Sequence, residues 1–139
     1  MTRFLVLLFL AQSPQAILSR AVAEFENAAW HFLCVARAET PAKATAALLP
    51  VGPDARVPMR EVYQMFRGTL TPQQVLSAMG SQPDAQFYGH LYLGLYFEAL
   101  GVKDRALQHI TMAAADRFGP YGGYMHMVAR VHLRSLTVR

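Results

Sequence analysis

The sequence predicts an all-α fold, and two observations carry that expectation. Apolar residues recur at helical spacing between regularly placed prolines and glycines, and no segment shows sustained period-two alternation flanked by turns. Pro14, Pro41, Pro58, Pro72 and Pro83 each stand where a helix can begin, because proline's missing N–H is harmless in a first turn. Ser13, Thr40 and Thr71 precede three of them as candidate N-caps, their oxygens able to accept from free backbone N–H groups. Gly68, Gly80, Gly101 and Gly119 stand where helices can end.

Between these marks the spacing predicts helices near 14–39, 41–49, 58–67, 71–79, 83–100, 103–118 and 121–136. The first is expected to bend around Glu26-Asn27. Leu49-Pro50-Val51-Gly52-Pro53-Asp54 is a loop, since closely spaced prolines with a glycine cannot continue a helix. The pair 58–67 and 71–79 has helix–turn–helix shape, with Val62, Tyr63, Phe66, Val75, Leu76 and Met79 facing the core. The last helix is expected to turn Tyr121, Tyr124, Val128 and Val131 inward and Arg130 and Arg134 outward, closing the stack as a cap. No linker or low-complexity segment divides residues 14–139, which read as one domain.

The start of the chain bears on compartment. Arg3 precedes the apolar run Phe4 to Leu10, and Ala11-Gln12-Ser13 has the small-x-small form of a signal-peptidase site, so residues 1–13 read as a signal peptide. Pro14 and the single charge of the n-region favour the other reading, a first core helix. The run is too short to span a bilayer, and no cysteine follows it to carry a lipid, so no stable membrane anchor is expected.

Composition narrows the function classes. More than half of the residues are apolar, which suffices for a real core, and the formal charge of +4 comes from scattered basic residues. Nucleic-acid binding is not expected from such a scatter. The single cysteine, Cys34, forbids an internal disulfide, and its neighbours Leu33, Val35 and Ala36 mark it as a small buried residue. His126 and His132 stand six apart, about 240° around a helix, so they do not share a metal. His90 occupies a packing position, and His31 and His109 lie in helices with no ligand-spaced acidic partner. No metal site and no cofactor are expected. The serines lack a G-x-S-x-G elbow, and apolar neighbours would raise rather than lower the Cys34 pKa, so no catalytic residues are assigned.

The densest pattern lies in residues 87–120. Leu93-Gly94 with Phe97 forms one helix, Gly101 breaks it, and Ala106, Ile110 and Ala113 form the next, with Gly94 and Ala106 twelve apart. This block resembles a tetratricopeptide repeat, in which small residues let two helices cross closely. Its aromatic position holds His90, and its terminal proline comes late, as Pro120. Residues 27–49 resemble a second, weaker repeat, with Trp30 in the aromatic position, Leu33-Cys34 at the crossing and Ala46 in the facing helix. The phrase LYLGLYFEALGVKDRALQHITMAAA is also similar to the C-terminal repeats of secreted bacterial proteins, including an adaptor lipoprotein that gathers peptidoglycan hydrolases.

That resemblance implies a short right-handed superhelix of antiparallel helix pairs, and a non-catalytic protein- or peptide-binding scaffold in the bacterial envelope, secreted or periplasmic. By the repeat's alignment, Tyr88, Leu91, Leu95 and Glu98 point to the concave surface where such proteins hold ligand peptides. Tyrosine and leucine would supply contact area there, while Glu98 or His31 fixes polar orientation. Tyr92 and Tyr96, on the same aromatic stripe, read as core. One good repeat and one poor one leave Leu18, Val22 and Phe25 without a partner helix, which a symmetric dimer would cover. A self-associating structural domain is therefore the alternative reading, and an enzyme the third.

Overall fold

The computed structural model of the protein describes residues 23–138. The expected signal peptide, the Ser13 cap and the Leu18–Val22 part of the first helix lie outside the described residues. Within them the fold is all-α. Seven α-helices follow in order: α1 (Phe25–Ala38), α2 (Pro41–Ala46), α3 (Met59–Phe66), α4 (Pro72–Met79), α5 (Pro83–Ala99), α6 (Lys103–Ala113) and α7 (Gly119–Thr137), with a 3-10 turn, Asp116–Phe118, before the last. Helices adjacent in sequence pack on one another, α1 on α2, α3 on α4, α5 on α6, and α7 closes against α5 and α6.

Local chemistry accounts for most of the boundaries. Thr40 accepts from the Lys43 N–H at 3.1 Å, with Pro41 in the first turn of α2. Thr71 and Gln74 form a reciprocal capping box at α4, the second of the expected caps inside the described residues. Gly101 takes φ +75°, and Val102 N–H donates to the Phe97 carbonyl at 2.8 Å, which closes α5 with a six-to-one turn that a side chain at Gly101 would strain.

Three expectations are corrected. The first helix does not run through residues 23 and 24: Ala23 N–H donates to the Pro50 carbonyl in an isolated bridge, Glu24 is extended, and α1 starts at Phe25. In α2 the buried alanine is Ala44 rather than Ala46, which is exposed. In α7, Tyr121, Tyr124 and Val131 face outward, while Gly122, His126 and Ala129 face the core. The cause is a close approach: a Cβ on Gly122 would lie 2.7 Å from Phe87, so only the small-residue face of α7 can reach α5. Gly123, at φ +49° and ψ −129°, then kinks the helix and resets its phase.

Helix α5 sits at the centre. Residues 89–95 are all buried, so its whole circumference is covered for two turns. It packs against α1, α3, α4, α6 and α7. Tyr92 is fully buried, edge-on to Phe25 with ring centroids 5.1 Å apart, as its place in the core stripe predicted. Phe32 stacks on Phe66 at 4.2 Å and ties α1 to α3. Helix α6 also approaches α5 closely: a Cβ on Gly94 would lie 2.6 Å from the Ile110 side chain and 3.1 Å from its backbone nitrogen.

One buried polar contact joins the same pair. His90 and His109 face each other with Nδ1 to Nδ1 at 3.0 Å, so one ring donates and the other accepts, and both are neutral. Phe97 stacks flat on His109, and the Arg105 guanidinium lies over the Phe97 ring, 4.8 Å from its centroid. Burial first, then the repulsion that a second positive charge would meet from His109 and Arg117, pushes His90 down to about 4, and burial with Arg105 pushes His109 down as well.

Two outcomes follow for stability. Gly94→Leu overpacks the α5–α6 crossing and lowers unfolding free energy by about 1–3 kcal/mol, measured by urea denaturation, because the Ile110 backbone cannot yield as its side chain can. For His90, the unfolded chain takes up a proton near pH 6.5 that the fold refuses until near 4, and the lowered His109 acts in the same direction. Stability is therefore complete above about pH 6.5 and declines as pH falls toward 4, by about 3 kcal/mol for His90 alone. Denaturation curves at stepped pH should show this loss, and His90→Phe should flatten it.

Candidate functional site

The residues expected to bind peptide divide between core and surface. Leu91 departs from the expectation, being wholly buried, and offers a ligand nothing. Leu95 is nearly buried but edges a narrow cleft of about 110 Å³ that it shares with Trp30, Leu33, Cys34, Arg37 and Glu98. The cleft lies between α1 and the end of α5. Tyr88 is half-buried two turns earlier, its ring edge-on to Phe87 at 4.8 Å. His31 is half-buried on α1, and its Nδ1 is enclosed with no hydrogen-bond partner among the described residues.

Glu98 is the most connected polar group of the site. Its Oε1 lies 3.3 Å from the Arg37 guanidinium on α1, and its Oε2 accepts from His132 Nε2 at 2.6 Å on α7. A carboxylate only accepts, so His132 must carry its proton on Nε2. One side chain thus ties three helices, and both of its oxygens are engaged. Both Glu98 oxygens are thus taken by protein partners, while Arg37 is exposed and lines the cleft with further N–H donors.

A wider opening of about 570 Å³ continues from the same two residues, past Lys103, Asp104 and Leu107 on α6 to Ser135 and Leu136 on α7. The two clefts share Arg37 and Glu98. Together they offer an apolar slot large enough for one side chain, bordered by the Arg37 guanidinium, and a trough of mixed polar and apolar lining beyond. Such a set can hold an extended or helical segment that inserts one apolar residue and presents a carboxylate or carbonyl to Arg37.

Cys34 is another correction. It is exposed at the cleft rather than buried, because the buried positions of α1 fall at Phe25, Ala28, Ala29, Phe32, Leu33 and Ala36, and Cys34 lies outside that stripe. Summing the spacing of those six positions along α1 would have found this, whereas the apolar neighbours alone misled. The role of His132 had no sequence signal, since its partner lies 34 residues away on another helix. Among the described residues, no group of three or more His, Cys, Asp or Glu side chains is placed to hold a metal ion. No described helix is long and apolar enough to cross a membrane.

Removing the tie should be measurable apart from any ligand. Glu98→Ala leaves His132 Nε2–H without its acceptor in a largely buried setting and costs about 1–3 kcal/mol by urea denaturation. Glu98→Gln should cost less, because the amide oxygen still accepts.

No protein-family model matches the chain, and comparison with curated proteins and with solved structures returns no match, so function is read from the residues and their geometry.

Proposed function

We propose that the protein is a non-catalytic binding scaffold of the tetratricopeptide type, a short right-handed superhelix that holds a peptide segment of a partner protein in the cleft between α1, the end of α5 and α7. The observation that supports this reading best is the α5–α6 crossing, where Gly94 meets Ile110 and Ala106 is buried, at the positions where the repeat needs small or close-fitting residues. The cleft beside it joins apolar walls from Trp30, Leu33 and Leu95 to the exposed Arg37 guanidinium. That is the usual composition of a peptide anchor site, in which one buried side chain gives affinity and a few polar groups give direction.

The test begins with a random peptide display library panned on the immobilised protein, followed by calorimetry on the enriched peptides. They should share one apolar residue near an acidic residue or a C-terminal carboxylate. Arg37→Gln, whose amide N–H can still donate to Glu98, should weaken them by tenfold or more, about 1.4 kcal/mol, and Trp30→Ala by about 1–3 kcal/mol, with Arg37→Gln leaving the melting temperature nearly unchanged. Tyr88→Ala should matter less, since Tyr88 packs on Phe87 away from the cleft's named walls. Failure to enrich any peptide, or equal binding by both cleft variants, would remove this reading.

A further inference from the structure

Helix α7 is apolar on two opposite sides. Its inner side holds Met125, His126, Ala129, Leu133 and Leu136 against the core. Its outer side carries Tyr124, Met127, Val131 and Val138, which are 80%, 60%, 64% and 77% exposed. These are large apolar side chains on one stripe, whereas scattered single ones would need no explanation. The sequence pattern that suggested an inward face at Tyr124, Val128 and Val131 is real, but Gly122 and Phe87 have turned it outward.

The shape of that stripe selects its occupant. A depression of about 320 Å³ is lined by Tyr124, Met127, Val128, Val131, His132 and Ser135. These six form two successive sets at i, i+3, i+4 and i+7, first 124, 127, 128 and 131, then 128, 131, 132 and 135. Four residues so spaced make the hole that receives one knob from a facing helix. A flat bilayer would use the apolar stripe without needing the holes.

Charge selects the partner's flank. The helix Gly119–Thr137 contains Arg130 and Arg134 and neither Asp nor Glu. At 100° per residue both arginines fall on one side of Val131, about 60–100° around, and His132 falls on the other. Arg130 reaches Asp116 only at 3.9 Å, with both side chains in solvent, and Arg134 has no acidic partner among the described residues. A second copy's α7 would bring two more arginines and no carboxylate, so it is the poorer complement.

We propose that the outer stripe of α7 is a docking surface for an acidic amphipathic helix of a partner protein, which seats apolar knobs in the two holes and places Asp or Glu beside Arg130 and Arg134. This surface lies on the outer side of α7 and shares Ser135 with the wider opening beside the Arg37 cleft, but the proposal does not depend on what that cleft binds.

The full chain should be titrated into two fluorescein-labelled peptides about three heptads long, each with Leu at a and d, one with Glu at e and g and the other with Lys there. Anisotropy should show the glutamate peptide binding at least tenfold tighter than the lysine peptide. Val131→Asp should lower that affinity tenfold or more, while its exposure keeps the thermal midpoint in place. The double variant Arg130→Glu, Arg134→Glu should reverse the preference, toward the lysine peptide, which loss of folding cannot mimic. The proposal is overturned if the glutamate peptide fails to bind, if both peptides bind alike, or if charge reversal leaves the preference unchanged. It is equally overturned if anionic phosphatidylserine vesicles bind the stripe and the peptide does not, or if sedimentation shows a dimer of the chain that Val131→Asp dissolves.

Discussion

Helix α5 carries apolar side chains around nearly its whole circumference, and that single constraint organises the other helices. A helix with no polar face cannot lie on a surface; it must be enclosed. Seven consecutive buried residues, Gly89 to Leu95, require neighbours on every side, and α1, α3, α4, α6 and α7 supply them. The enclosure is close because α5 has glycine where α6 comes nearest. At Gly94 the Ile110 backbone nitrogen stands where only a hydrogen fits comfortably, so α6 sets the separation of the helices. Dispersion and burial then act over the longest contact in the fold.

Polar side chains inside this enclosure tie particular pairs of helices. His90 and His109 share one proton across the α5–α6 contact, and their neutrality follows from burial beside Arg105 and Arg117. Glu98 joins α5 to both α1 and α7 at the end where the clefts open. Arg56 does the same at the opposite margin, bridging Asp54 in the loop and Glu26 on α1 at 2.6 Å each, which holds both carboxylates below their ordinary range. Exposed ion pairs of this last kind contribute little alone, but a three-member network fixes where the 49–57 loop returns to α1.

Packing around α5 also decides which surfaces remain for other molecules. Leu91 is consumed by the core, while Leu95 and Glu98, one and two turns further on, reach the edge where α1 ends its cover. At α7 the consequence is larger. Contact through Gly122, His126 and Ala129 brings the helix close to Phe87 and lets His126 donate to the Ala115 carbonyl at 3.0 Å. The bulkier stripe is left in solvent as a result.

By itself the sequence determined the helical class, the order of the elements and most of their boundaries within the described residues. Those features depend on interactions a few residues apart: proline in a first turn at Pro41, Pro72 and Pro83, threonine caps at Thr40 and Thr71, and the glycine turn at Gly101. It also marked Gly94 as the crossing point, because a small residue amid large ones in a helix has few other uses. What it left open depends on contacts between distant residues. Periodicity marks an apolar face of α7 without saying which of two faces turns inward, and only the fit of Gly122 to Phe87 chooses. Cys34 and Leu91 sit in equally apolar neighbourhoods, yet one is exposed and the other buried, since each depends on whether a neighbouring helix covers that side. The Glu98–His132 and His90–His109 contacts were invisible for the same reason: proton sharing and ion pairing act over about 3 Å, and only the folded chain brings those groups within reach.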